Sequence, residues 1–424
     1  MSVFIADFLK NSMLKRISVS QLTVGMHIKE FCGSWMEHPF IRSSFVLSNA
    51  KDLQTILASS IKEVWIDSSK GADVPATVVA LSPKQAEFQI DATLEQAASG
   101  GRNVLPAPME REMERAAQIC GHSKQAMVSM FEEARMGNAV DVGGARQLVE
   151  EISDSVMRNP GALISLARLK TVDDYTYMHS VAVCAMMVSL ARQLGLDDDK
   201  VRLAGLAGLM HDLGKAAMPM NVLNKPGKLT EAEFAVIKSH PVEGHRMLLA
   251  SSKFDSDTLD VCLHHHEKVD GSGYPEGLKG DEISLMAKMG AVCDVYDAIT
   301  SNRPYKIGWD PAESLRKMAE WSTGHFDQKV FQAFVKSMGI YPVGSLVLMS
   351  SGRIGVVTAQ SAKSLITPQI KVFYSTKSHL RITPEFLDLS KAGSTDKIAG
   401  REDPAKWHFP DLDEMWSGLP TSHR

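Results

Sequence analysis

The stretch DDDKVRLAGLAGLMHDLGK, residues 197–215, decides the reading of the fold. Apolar residues recur every three to four positions from Val201 to Met210, the period of a helix packed against a core. Asp197, Asp198 and Asp199 suit the start of that helix, where negative charge meets the positive end of the helix dipole. The stretch ends in His211-Asp212, two metal-capable side chains that diverge by about 100° around a helix axis. Near a helix end, which Gly214 signals, the pair can straddle two metal ions. Lys215 follows one turn after His211.

The same period extends outward on both sides. LISLARLKTVDD and HSVAVCAMMVSLARQLGL precede the stretch with apolar residues at helical spacing. Downstream, Thr230-Glu231-Ala232-Glu233 fits a capping box opening EFAVIKSHP. VGGARQLVEEISDSVMRN reads as a further helix, ended by Pro160. These segments define an all-α domain over 136–340, with its chemistry-bearing residues on several helices.

Those residues form a dispersed set of nitrogen and oxygen donors. The run His264-His265-His266-Glu267 precedes Asp270-Gly271-Ser272-Gly273-Tyr274-Pro275. Adjacent histidines are rarely needed for packing, and a Gly-X-Gly turn lets backbone approach a substrate. His179 lies upstream, His240 falls at the end of a helix just before Pro241, and Asp294 lies in VCDVYDAI. Two divalent ions about 3.5–4 Å apart clamp a bridging hydroxide in line with a phosphorus atom, so such a set points to a metal-dependent hydrolase. Lys215 is placed to assist as a point charge, and Arg303 and Lys306 of SNRPYK can hold guanine or phosphate groups. Blander roles fit other residues. His245, His325 and the methionines at core spacing read as packing or surface groups, His264 as structural, and Asp297 as a group that orients a ligand. Glu267 either orients a neighbouring histidine or is solvated.

Composition bounds the rest. At 424 residues the chain exceeds one ordinary core, and two or three domains are expected. A net charge of −4 without a basic half gives no support for a nucleic-acid polymer or an anionic membrane as partner. The five cysteines show neither CxxC spacing nor a disulfide framework, which predicts a reducing cytoplasm. No signal-peptide pattern opens the sequence, and the longest uncharged stretch, Tyr175 to Ala191, is short for a membrane span. A soluble protein is the expectation.

Outside the helical domain the pattern changes. Residues 1–73 read as a small mixed α/β domain, with a strand-turn-strand start in KRISVSQLTVGMHIKEF, a short helix in SNAKDLQTILASS and a strand in IKEVWID. It carries no ligand cluster and reads as an adaptor or sensory unit. Residues 74–135 read as a linker with some helix. SLVLMS, RIGVVTA, QIKVFYS and HLRIT alternate or are β-branched and predict a small β unit over 341–390. Residues 391–424, with Gly400, Pro404, Pro410 and Pro420, read as a flexible tail.

Taken in order, HDLGK (211–215), LNKPGKLT (223–230), SHP (239–241), HHE (265–267), DGSGYP (270–275), GLKGDEI (277–283), VCDVYDAIT (292–300) and SNRPYK (301–306) resemble the HD-GYP family. That family is a branch of the HD metal-dependent phosphohydrolases. The match runs over about 130 residues, and the ordered set is very specific where HD alone is weak. QLTVGMHI, SWMEHPF and SSFVLS in the N-terminal segment also look like a domain often attached to such enzymes.

The resemblance implies a cyclic di-GMP phosphodiesterase that opens the ring to linear pGpG, with GMP as a further product. It implies that His179, His211, Asp212 and Asp294 bind one metal and that Asp212, His240, His265 and His266 bind the second, with Asp212 bridging. It places Lys215 on the scissile phosphate, Arg303 and Lys306 on the nucleotide, and Gly273 and Tyr274 beside the substrate. Iron or manganese would be the metal, and a regulatory protein or a second copy of the chain a further partner. Two other readings stay open: another cyclic dinucleotide as substrate, or a regulatory module that binds without cleaving. One departure concerns metal count. Some members carry a Glu one turn before the first histidine and assemble three metals; here Tyr175 holds that position. Two metals are therefore expected, with a weaker second cleavage.

Overall fold

The protein is described from a computed structural model over residues 13–33, 40, 44–75, 77–98, 108–169, 175–225, 227, 229–302, 308–361, 364–391 and 393–420. It divides into one unit that runs through Glu95 and includes Arg316–Thr323, and a second made of Gln96–Leu315 and Gly324–Arg424.

The first unit is built on an antiparallel sheet of order β1-β4-β2-β3, from β1 (Leu14–Ser18), β2 (His27–Cys32), β3 (Phe45–Val46) and β4 (Glu63–Asp67). Alternation buries Ile17, Ile28, Phe31, Val64 and Ile66 on one core with Met26, Leu47 and Ile56. Helix α1 (Ala50–Leu57) starts where Asn49 accepts the Asp52 N–H at 2.8 Å. The two strands read at the start of the chain do not pair with each other, because β4 lies between them. Strand order depends on contacts distant in sequence, which local alternation does not encode. Helix α2 (Pro83–Ala98) follows.

The second unit is mainly helical: α3 (Met109–Arg135), α4 (Val142–Arg158), α5 (Pro160–Arg168), α6 (Tyr175–Gln193), α7 (Asp198–Met210), α8 (Glu231–Ile237), α9 (His240–Ser251), α10 (Ser256–His264), α11 (Leu285–Thr300), the ends of α12 (Pro311–His325), whose Arg316–Thr323 stretch belongs to the first unit, and α13 (Gln328–Met338). Helix α3 is the helix expected within 74–135, and it is packed along its length. Met113, Ala116, Met127, Met130 and Phe131 are buried along it. Its buried Glu112 takes a two-pronged contact from Arg158, at 2.8 and 2.9 Å.

Close helix approach depends on small residues. A Cβ on Gly208 of α7 would sit 3.0 Å from Cys184 Cα and from Val183 O of α6. One on Gly205 would sit 2.8 Å from Val149 and Val188 side chains. Cys184, Cys262 and Cys293 are buried thiols in this packing, and no disulfide joins any of the five cysteines. Among the described residues no helix is long and apolar enough to cross a membrane.

A five-stranded antiparallel sheet of order β8-β7-β6-β5-β9 completes the unit: β5 (Leu346–Met349), β6 (Arg353–Ala359), β7 (Gln369–Ser375), β8 (Leu380–Asp388) and β9 (Ile398–Arg401). The flexible tail expected over 391–424 is therefore corrected for its described part. β9 pairs with β5, and α14 (Leu412–Ser417) buries Trp416, whose ring lies 5.7 Å from the Arg168 guanidinium carbon. Prolines and glycines here punctuate short elements, and two or three anchoring side chains suffice to hold them.

Asp310 joins this sheet to α12. It accepts N–H bonds from Ala312 at 2.9 Å, Glu313 at 3.1 Å and Leu346 at 3.2 Å. Burial outweighs those bonds and pushes its carboxyl up to about 6. The folded state then holds a proton that the unfolded chain has lost, so stability falls as pH rises from about 4 to 6. Urea unfolding should show the wild type losing about 3 kcal/mol more than Asp310→Asn between pH 4 and pH 7. Parallel curves for the two proteins would contradict this.

Candidate metal centre

Three helix ends, a 3-10 turn and the bodies of two further helices bring the donors together. His211 is the last residue of the α7 turn, and Asp212 opens a 3-10 turn over Leu213–Ala217. Gly214 in that turn faces Gly244 of α9: a Cβ on Gly214 would lie 1.9 Å from His240 O and 2.5 Å from Gly244 N. The absence of side chains at both positions lets α9 press against the HD turn. His240 opens α9, followed by Pro241 in its first turn, rather than closing the preceding helix as expected. Proline lacks an N–H and has a fixed φ, so it belongs in a first helical turn. His265 caps the end of α10, His179 projects from α6, and Asp294 from α11.

The donors fall into two sets around one carboxylate. Asp212 Oδ2 lies 3.3 Å from His179 Nε2 and 3.4 Å from His211 Nε2. Its Oδ1 lies 3.1 Å from His240 Nε2 and 3.8 Å from His265 Nε2. Asp294 completes the first set, with Oδ1 3.0 Å from His179 Nε2, while its Oδ2 lies 3.6 Å from His266 Nδ1. Donor atoms of His179, His211 and Asp294 lie within 4.8 Å of one another, as do those of His240, His265 and His266 and those of His211, Asp212 and His265.

Orientation of the rings is fixed from behind. Nδ1 of His211 meets Gly208 O at 2.8 Å, that of His240 meets Ile237 O at 2.7 Å, and that of His265 meets Val261 O at 3.0 Å. His179 Nδ1 meets Asp297 Oδ2 at 2.6 Å. An Nδ1–H donated to these acceptors turns each Nε2 inward. Two such nitrogens, of His211 and His179, stand 3.2 Å apart, and those of His240 and His265 stand 3.3 Å apart.

Electrostatics suit a cation. Burial works to raise both carboxyls, but Lys215 and the surrounding histidines hold Asp212, and His179, His266 and His211 hold Asp294, well below the usual carboxylate range. Burial lowers His211 and His265 and brings His266 down to about 3, so these rings are neutral. Burial opposes charge on His179 too, yet contacts with Asp212, Asp294 and Asp297 raise it to about 10. Asp212 Oδ1 and Asp294 Oδ2 are buried and accept no hydrogen bond. Buried anionic oxygens without a donor are costly. Converging imidazole and carboxylate donors fit divalent metal ions of the first transition row.

Further residues settle around this core. The Lys215 ammonium contacts Asp212 and keeps 18% of its side chain exposed. Tyr274 stacks on His266 with centroids 4.7 Å apart. A Cβ on Gly273 would lie 2.4 Å from Lys268 N, so the loop needs glycine there to fold back on Glu267. Tyr175 stacks on His179 at 5.7 Å and offers no carboxylate. His264 stands apart, paired to Asp260 at 2.8 Å. Arg303 and Lys306 lie outside the described residues.

Glu267 has neither of its expected roles. Buried to 2% exposure, it accepts the N–H groups of Glu276, Gly277 and Leu278 at 2.7–3.1 Å and so ties down the loop that carries Gly273 and Tyr274. A lone glutamate after three histidines gives no sequence signal for a target nine to eleven residues on. Glu267→Ala removes an acceptor from three backbone donors. Activity should fall about ten- to a hundred-fold while bound metal is retained, read by steady-state rates and metal analysis.

Comparisons with known proteins agree with this geometry. The family described as "HD domain" matches residues 152–330, and the one described as "Domain of unknown function (DUF3391)" matches residues 14–145. The chain is 54% identical over 411 residues to a cyclic di-GMP phosphodiesterase of Pseudomonas aeruginosa, covering 97% of each protein. It is 43% identical over 148 residues to the cyclic di-GMP phosphodiesterase response regulator RpfG of Xanthomonas campestris, covering 35% of this chain and 39% of that one. A 3'3'-cGAMP-specific phosphodiesterase of Vibrio cholerae is 37% identical over 168 residues, 39% of each chain. The chain belongs to the HD-GYP family of phosphodiesterases, within the HD-domain phosphohydrolases.

Proposed function

We propose that the protein hydrolyses cyclic di-GMP to linear pGpG, with GMP as a slower second product, at a centre of two divalent cations. One observation carries the reading: the two oxygens of Asp212 face two separate imidazole pairs, at 3.1–3.8 Å. His179, His211, Asp212 and Asp294 would hold one cation, and Asp212, His240, His265 and His266 the other. When bound, such ions polarise phosphoryl oxygens and lower the pKa of a bound water. Iron and manganese suit the nitrogen and oxygen donors.

The chain's own residues shape the rest. Asp297 fixes the tautomer and direction of His179 through a 2.6 Å contact. Lys215, anchored on Asp212 with part of its side chain exposed, can place positive charge on the reacting phosphate as negative charge builds there. Tyr274 and Gly273 form the wall beside His266, where a close backbone lets a substrate approach. Arg303 and Lys306 are assigned to the nucleotide's guanine and phosphate groups. With Tyr175 where a third-metal carboxylate would stand, the complement is two ions.

The relative specific for 3'3'-cGAMP supports a second reading, in which that mixed dinucleotide is preferred. Metal-loaded protein incubated with each dinucleotide, with products separated by chromatography, tests both. pGpG formed faster than any cGAMP product is the expected result. Faster cGAMP cleavage reverses the substrate assignment, and unchanged substrates with metal bound indicate a binding module.

A further inference from the structure

We propose that Lys238, seated between the rings of Phe234 and Tyr274, binds the second, non-reacting phosphodiester of the substrate. This assignment rests on the cyclic dinucleotide reading above.

Lys238 caps the end of α8, two residues before His240. Its ammonium lies 5.1 Å from the Phe234 ring centroid and 4.9 Å from that of Tyr274. The same Tyr274 ring stacks on His266 at 4.7 Å. The cation is therefore one aromatic ring removed from a donor of the metal centre. It is also exposed, so it can meet a ligand from solvent.

Charge distribution gives the position its meaning. Other cations of the second unit near acidic groups are engaged: Lys215 contacts Asp212, and Lys225 contacts Glu233 at 2.6 Å. Lys238 has no carboxylate partner among the described residues and is held by ring faces alone. Cation–π contacts hold an ammonium in place without neutralising it, so its full charge is offered outward. A cyclic dinucleotide carries two phosphodiesters, fixed across one ring. The metal donors and Lys215 converge on one of them. A second fixed cation one aromatic ring away, on the same rim, suits the other. Ring contacts with Phe234 and Tyr274 also restrict the ammonium, which lowers the entropy lost on binding.

A purely structural lysine would staple the Tyr274 loop to α8 and affect every substrate alike. Full-length, metal-loaded wild type, Lys238→Met and Lys238→Arg are compared on cyclic di-GMP and on bis(p-nitrophenyl) phosphate, a diester with a single phosphate. In Lys238→Met the ratio of kcat/KM for cyclic di-GMP to that for the single-phosphate diester should fall about tenfold, carried by KM. Lys238→Arg should restore most of that ratio. An unchanged ratio, with both substrates affected equally or neither affected, overturns the assignment. Wild type that cleaves only the single-phosphate diester overturns the dinucleotide reading, and this assignment with it.

Discussion

Asp212→Asn is expected to abolish hydrolysis and to cost the protein most of its metal. The substitution keeps the shape of the side chain but replaces one oxygen by an N–H donor. Asp212 is the only described carboxylate whose two oxygens face the His179–His211 pair and the His240–His265 pair. Whichever oxygen is lost, one set has an NH₂ group pointed at a cation in place of a shared carboxylate oxygen. The shared negative charge disappears as well, and Lys215 loses its partner. A drop in kcat/KM of at least about a thousand-fold follows, roughly 4 kcal/mol of transition-state stabilisation. Bound metal should fall to one ion or fewer per chain. Near-normal turnover in Asp212→Asn would remove Asp212 from the centre of the account.

Gly214→Ala should be nearly as damaging, although it adds a single methyl group away from the chemistry. The added Cβ would meet only backbone: His240 O at 1.9 Å, Gly244 N at 2.5 Å and Gly244 Cα at 2.9 Å. No side-chain rotation relieves such contacts, so α9 must move back and carry His240 with it. The 3.1 Å approach of His240 to Asp212 cannot survive that shift. Overpacking of this kind costs about 1–3 kcal/mol or more, lowering the unfolding midpoint by roughly 5–10 °C. Activity should fall about a hundred-fold, since misplacement by an ångström suffices. Gly121→Ala serves as the control, because a Cβ there meets nothing within 4 Å and α3 should gain slightly in stability. Equal thermal and kinetic behaviour of the two alanine variants would refute the close-packing argument.

The sequence carried the donors more clearly than the elements holding them. His179, His211, Asp212, His240, His265, His266 and Asp294 were legible because metal chemistry restricts residue type, and the structure brings all seven together. Helix direction was less legible: His240 before Pro241 reads equally as an end or a beginning until the first turn is seen. The roles of Glu267 and Lys238 were hidden for a different reason. Each depends on a partner brought close by the loop after His266, and single-residue types give no hint of it. In the C-terminal stretch, β9 is short and finds its place only by pairing with β5, some fifty residues earlier in the chain.

The most direct test of the two-cation claim is anomalous diffraction from crystals of protein reconstituted with manganese. The account predicts two peaks per chain. One should be bounded by His179, His211 and Asp294, the other by His240, His265 and His266, with the Asp212 carboxylate between them. A single peak, a third peak beside Tyr175, or metal held away from Asp212 would contradict it.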